Sequence, residues 1–321
     1  MQDDNFRDVA IIGGGPAGLT AAIFLARYLH TVTLIDSGDP RNWETRGING
    51  FLGHPGIRPP ELRGMGRDQL RDLGVELVDT ACERVACADS EHFQLLLADG
   101  RQIDARRLLL AIGVKDVWPA ISGLAPIYGA NAHICPDCDG FECIGKKVAV
   151  LGKGRKAVGL ALNLTTWTRD LVICTNGAPA DLDLPEYCEK LDALNIPVLE
   201  SPIARAVHNG AHLQSLEFEN GMQLDVDKLF FAIGQYPADD LGAQLGCERD
   251  EDGHIIVDES YHTSVRNCWA AGDIIPGPQL AIAAAADGAM AALAMHKSLV
   301  PSGQKLESIR EQPRESQTPT T

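Results

Sequence analysis

The string VAIIGGGPAG, from Val9 to Gly18, constrains this chain more than any other. A short apolar run leads into Gly13, Gly15 and Gly18 at G-x-G-x-x-G spacing. A helical pattern from Leu19 to Leu29 follows, and then a β-branched run from Thr31 to Ile35 that ends at Asp36. Strand, glycines, helix, strand and acid in that order make a βαβ unit suited to a dinucleotide. The first glycine permits a tight turn, the second lets a pyrophosphate approach the backbone, and the third lets the helix pack on the strand. The phosphates then meet free N–H groups at the positive end of the helix. Pro16 and Ala17 sit inside this loop, and Asp36 is placed to accept hydrogen bonds from ribose hydroxyls.

A second unit begins at Lys147 with KVAVLGKGRKAVGLALNL, and the strand Leu171 to Cys174 follows it. Two such units form a repeat at the scale of a domain. Two similar strings flank the second one, LLLAIGVKDVWP (Leu108 to Pro119) and LFFAIGQYPAD (Leu229 to Asp239). Each is an apolar strand ending in Ala-Ile-Gly, and they read as the two crossings between domains. The expected division is a discontinuous first domain from 1–117 and 241–300, a central domain from 118–240 and a flexible tail from 301–321. The stretch from Val75 to Ile112 reads as a small antiparallel meander inserted in the first domain.

The chain has 321 residues, 45% of them hydrophobic, enough for about two packed domains. Its net charge of −16 argues against nucleic acid and anionic membrane as partners, since both need a basic face. Nine scattered cysteines, an odd number, do not suggest a secreted disulfide framework. The opening MQDDNFRDVAIIGGG has no basic region followed by a long apolar core, and no run of apolar residues is long enough to span a bilayer. A cytoplasmic protein is expected.

The most specific string is Cys135-Pro136-Asp137-Cys138-Asp139-Gly140. C-x-x-C spacing lets two sulfurs join without backbone strain, and such pairs often have lowered thiol pKa values. Asp139 is a candidate proton donor and acceptor for thiol steps. Two other readings compete. His133, Cys135, Cys138 and Cys143 make a possible zinc set, although no second C-x-x-C exists and no metal is expected; alternatively the cysteines simply pack. Near the C-terminus, CWAAGDIIPGPQLAIAAAADGAMAA places Gly272 and Asp273 after a strand, where they suit the ribityl-phosphate chain of FAD. Gln279, Leu280 and Ala281 begin an alanine-rich helix whose dipole would face the flavin edge that becomes anionic on reduction.

The order GGGPAG, AIG, C-x-x-C-D-G, G-x-G-x-x-A, AIG and AAGD resembles the low-molecular-weight thioredoxin reductases, from about Val9 to Leu299. The resemblance implies two Rossmann-like three-layer α/β nucleotide-binding domains, FAD/NAD(P)-binding, of the class II pyridine nucleotide-disulfide oxidoreductase type. It also implies a homodimer, bound FAD, and a thiol or disulfide substrate that meets Cys135 while Cys138 lies nearer the flavin. Asp139 becomes the acid/base by the same matching, Asp273 and Gln279 contact FAD, and Val85 lies near the adenine. Ser37, Arg41, Asn49, Ala111 and Gly113 complete the expected cofactor set.

The central unit departs from that pattern. Gly152, Gly154 and Ala157 keep the glycine spacing, yet no Lys or Arg occurs between Arg169 and Lys190, where the family places arginines for the NADPH 2′-phosphate. Each lost charge-assisted bond is worth about 1.5–3 kcal/mol, so losing two weakens binding roughly a hundredfold or more. NADPH use is therefore not expected. Lys153, Arg155 and Lys156 nonetheless crowd the glycine loop, so Gly152, Gly154, Arg155 and Lys156 form a candidate site for a different phosphate-bearing ligand such as a second FAD. Subgroups of the fold that lack the arginines include FAD-dependent dithiol oxidases, diflavin-linked disulfide oxidoreductases and ferredoxin-fed reductases. The strings Asp36-Ser37-Gly38 with Arg41-Asn42, and Thr175-Asn176-Gly177, resemble the dithiol oxidases, while CPDCDG and the basic glycine loop suit the diflavin-linked enzymes equally. Thiol oxidation is the expected direction, and the final electron acceptor stays open.

Overall fold

The computed structural model describes residues 6–89 and 91–305; residues 306–321 of the expected tail lie outside the described residues. The strand Phe6–Ile12 sits inside a seven-stranded sheet, and its last four residues are buried. It runs parallel to Val32–Ile35 on one side and to Gln102–Leu110 on the other. Such a strand is covered on both faces and so reads as an unbroken apolar run.

The helix that follows spans Pro16–Arg27. It starts before the expected Leu19 because Pro16 occupies the first turn, where its missing N–H is no loss and its φ is already helical. The second strand begins at Val32, one residue later than expected, because Thr31 directs its N–H and hydroxyl to the Asp8 carboxylate. The expected inserted meander is corrected in the same way. Glu76–Val78 adds in parallel to Val32–Ile35, while Phe93–Leu97 and Cys82–Cys87 extend the same sheet antiparallel. Gln102–Leu110 makes this possible by its length. One edge pairs throughout with Phe6–Ile12, and the other is shared between Phe93–Leu97 and the distant strand Cys268–Ala270. Helices cover one face of this sheet. Pro16–Arg27 and Ala281–Leu299 cross so closely that a Cβ at Gly288 would meet the Ala17 carbonyl.

The second sheet is fully parallel, in the order Val198–Leu199, Leu171–Cys174, Val148–Gly152, Lys228–Ala232, Ala132–His133. On one face Val148, Val150 and Ile173 pack with Ala157, Ala161 and Leu164 of the helix Gly154–Leu164. On the other, Ala149, Leu151 and Val172 pack with Ile203, Leu213, Leu216 and Phe218 of a three-stranded antiparallel sheet. The second sheet is thus the middle of three layers, while the mixed first sheet carries helices on one face, an α/β arrangement as expected of a two-unit nucleotide-binding chain. The two Ala-Ile-Gly strings meet: Val114–Asp116 pairs antiparallel with Gln235–Pro237. No helix among the described residues is long and apolar enough to cross a membrane.

Candidate functional site

The chain leaves Phe6–Ile12 toward Val32–Ile35, while the other neighbour, Gln102–Leu110, arrives from later in sequence. That reversal opens a crevice at the carboxyl ends of the strands. Gly13 turns there with φ 112°, and a Cβ on it would meet the Ala111 carbonyl. A Cβ on Gly14 would meet the Asp36 carboxylate. No side chain caps the helix Pro16–Arg27, so its first N–H groups remain available to an anion.

A cleft of about 620 Å³ runs from this loop to the cysteine pair. It brings together nearly all of the expected cofactor set: Gly13, Gly15, Pro16, Ala17, Asp36, Ser37, Arg41, Asn49, Ala111 and Gly113, with Gly272, Asp273, Gln279, Leu280 and Ala281. Cys135, Cys138 and Asp139 line it as well. Two expected residues do not reach it. Gly18 lies beneath the loop, where a Cβ would meet the Gly13 carbonyl. Val85 is packed in the core and its N–H donates to Gln244 Oε1 at 3.0 Å. The alanine-rich helix begins at Ala281 with Leu280 as its uncapped flank, so Gln279 stands outside it.

Cys135 and Cys138 form a disulfide with Cα atoms 5.3 Å apart, which removes both sulfurs from the zinc reading. Pro136 starts a single helical turn, Pro136–Asp139, that directs the Cys138 N–H at Cys135 Sγ, 3.1 Å away. A donor there stabilises a Cys135 thiolate once the bond opens. Asn49 Nδ2 donates to the Cys138 carbonyl at 3.1 Å, which ties the loop after the second strand to the disulfide. Cys143 is buried, its Sγ contacts the Asp139 carbonyl at 3.7 Å, and burial pushes its thiol up to about 11.

Two of the lining acids, Asp36 and Asp273, are held by arginines. Asp36 receives Arg63 at 2.5 Å and Arg67 at 3.2 Å, both from the helix Pro59–Asp72, while Arg63 Nε also donates to the Gly14 carbonyl at 3.2 Å. The sequence reading missed this pair; its signal was two arginines one helical turn apart on an amphipathic helix. Arg41 reaches Asp116, Asp273 and Gln279. Burial raises the Asp273 carboxyl above its ordinary range, and Arg41 works against that rise. Tyr128, His133, Gln235 and His254 also line the cleft; of these the sequence had singled out only His133.

The second glycine loop is not open as expected. Gly154 N–H, the donor a phosphate would use, bonds to Ala180 O at 2.9 Å. Lys153 pairs with Asp181 at 2.7 Å and Lys156 with Asp252 at 3.1 Å. The closing segment is itself anchored, by Gly177 N–H and Ala180 N–H to Glu200 and by Thr175 to Ala178. The chain's own backbone and carboxylates therefore engage Gly154 and two of the three loop cations, and neither Gly152 nor Arg155 lines the cleft described above.

A glycine loop at an uncapped helix, an acid at the end of the second strand and a long cleft ending on a disulfide fit FAD in donor set and shape. Fold and site together define a flavin disulfide oxidoreductase of the thioredoxin reductase type. The chain belongs to the pyridine nucleotide-disulphide oxidoreductase family, whose profile matches residues 7–288. It is 32% identical over 308 residues to a thioredoxin reductase of Helicobacter pylori, covering 90% of this chain and 97% of that one. Among solved structures, HlmI superposes with a TM-score of 0.87 at 32% identity, over 94% of each chain. An oxidoreductase from Agrobacterium tumefaciens does so at 0.81 and 30%, over 91% of this chain and 98% of that one.

Proposed function

We propose that this protein oxidises dithiols through the Cys135–Cys138 pair and passes the electrons to bound FAD, without drawing on NADPH. The observation that carries the reading is the closed second glycine loop, where Gly154 N–H is spent on Ala180 O and Lys153 on Asp181. The absence of any Lys or Arg between Arg169 and Lys190 supports it from the sequence. One FAD per chain follows, held by the Gly13–Gly18 loop, Asp36, Asp273 and the N-terminus of Ala281–Leu299. The proposal retains the domain division at 118 and 240 and a homodimer.

FAD, when bound, would supply a two-electron acceptor. The chain's own groups do the sulfur chemistry. A substrate thiolate attacks Cys135 and Cys138 leaves as a thiolate. The substrate's second thiol then closes its own disulfide and releases Cys135, whose negative charge the Cys138 N–H stabilises. Asp139 takes up a proton from the incoming thiols.

The relatives named thioredoxin reductase favour a second reading, NADPH-driven reduction of a protein disulfide. Anaerobic stopped-flow absorbance separates the two. Under the proposal, dithiothreitol bleaches the flavin and micromolar NADPH leaves it oxidised; rapid bleaching by NADPH would overturn the proposal. A flavin-to-protein ratio near two would overturn the single-FAD part.

A further inference from the structure

Asp139, next to Cys138, begins a line of three polar side chains whose other two members, His133 and Lys228, the sulfur chemistry above leaves without a role. His133 ends the strand Ala132–His133 and its side chain is only 5% exposed. The neighbouring parallel strand, Lys228–Ala232, puts Phe230 in register with it, and the Phe230 ring packs 5.3 Å from the imidazole. An imidazole in such a place needs partners for its ring nitrogens. Lys228 Nζ stands 3.4 Å from Nε2, anchored by its own bond to the Ala130 carbonyl at 2.8 Å. On the other side, Nδ1 stands 3.4 Å from Asp139 Oδ2.

This order settles the tautomer. An ammonium has hydrogens only to give, so Nε2 accepts from Lys228. The ring hydrogen then sits on Nδ1 and faces the Asp139 carboxylate. The ring thus stands beside one carboxylate oxygen, Oδ2, and not the other. The Phe230 ring on the one neighbouring strand packs against the imidazole, and approaches of this length commonly tighten when substrate is present.

We infer that His133 and Lys228 are positioning residues that act through Asp139, Lys228 by fixing the ring tautomer and His133 by orienting the carboxylate toward the Cys135–Cys138 pair. The inference rests on the proposed dithiol reaction and on Asp139 as its proton acceptor. Burial lowers the proton affinity of Lys228, with Cys143, Asp139 and Glu142 opposing the change and Lys146 adding to it. Among the described residues no other charged side chain is recorded against the ring of His133.

The test is anaerobic flavin reduction by dithiothreitol in FAD-loaded protein, read as limiting rate and half-saturating concentration. His133→Phe keeps a ring in the pocket but removes the donor. It is expected to lower the limiting rate on the order of a hundredfold with the half-saturating concentration unchanged. His133→Asn, whose amide N–H stands in for Nδ1–H, recovers most of the rate. Lys228→Met reproduces the loss, and Lys228→Arg recovers it. Adding His133→Phe to Asp139→Asn produces no further loss, because the ring acts only through that carboxylate. His133→Phe and Lys228→Met at the parental rate, or a full additional loss in the Asp139→Asn background, would overturn the inference while leaving the dithiol reaction intact. A parent protein that dithiothreitol does not bleach would instead remove the reaction itself.

Discussion

Arg41 holds Asp116 in a two-point ion pair, Nε to Oδ2 at 2.7 Å and Nη2 to Oδ1 at 2.6 Å, and its Nη1 reaches Asp273 at 3.2 Å and Gln279 at 2.6 Å. Asp116 ends the strand Val114–Asp116, whose partner strand contributes Gln235 to the same guanidinium at 3.3 Å. One side chain thus joins the cofactor cleft to both strands that connect the two nucleotide-binding units.

Replacing Arg41 by Met leaves two largely buried carboxylates without their counter-charge. The expected loss is about 3 kcal/mol at neutral pH. Its pH dependence has a definite sign. Burial already raises the folded Asp273 carboxyl above its unfolded value, so this group favours the folded state at low pH and its contribution is lost as pH rises through the folded value. Without Arg41 the rise grows. The variant's melting temperature therefore falls further below that of the parent as pH increases from about 4, which thermal unfolding across that range would check. A penalty that shrinks with pH contradicts the assignment.

Asp36→Ala removes the proposed ribose acceptor and strands Arg63 and Arg67 beside the loop. FAD affinity is expected to weaken about 10–100-fold, equivalent to one or two lost hydrogen bonds. Flavin fluorescence on dilution reports the released fraction directly.

Gly288→Ala places a methyl group against the Ala17 carbonyl, which is backbone and cannot swing away. The crossing of Pro16–Arg27 and Ala281–Leu299 must open, at a cost of about 1–3 kcal/mol. Chemical denaturation should show an earlier midpoint, and flavin retention should fall with it because Ala17 lines the cleft.

Cysteine substitutions separate chemistry from packing. Cys135→Ser or Cys138→Ser is expected to slow dithiol-driven bleaching on the order of a thousandfold or more. Cys143→Ala keeps the parental rate within about twofold and costs about 1 kcal/mol of stability through its small cavity. A Cys143 variant as inactive as the other two would place that thiol in the reaction.

The sequence alone determined the parts of this protein that depend on local periodicity and spacing. The glycine loop, the acid after the second strand, the paired Ala-Ile-Gly strings and the C-x-x-C turn each rest on a few adjacent residues, and backbone sterics leave them few conformations. From these the two nucleotide-binding units could be read, and nearly all of the residues expected to hold the cofactor do line the cleft. Tertiary structure decided everything that depends on residues far apart in the chain. Gln102–Leu110 pairs on both edges, so an apparent meander became part of one sheet. Arg63 and Arg67 turned out to hold Asp36, and Lys228 to face His133 from a neighbouring strand. The cations of the second glycine loop read as a phosphate site until Ala180 and Asp181 were seen against it. A charge in a sequence has no partner until folding supplies one, and the distances at which charges and hydrogen bonds act are set by packing.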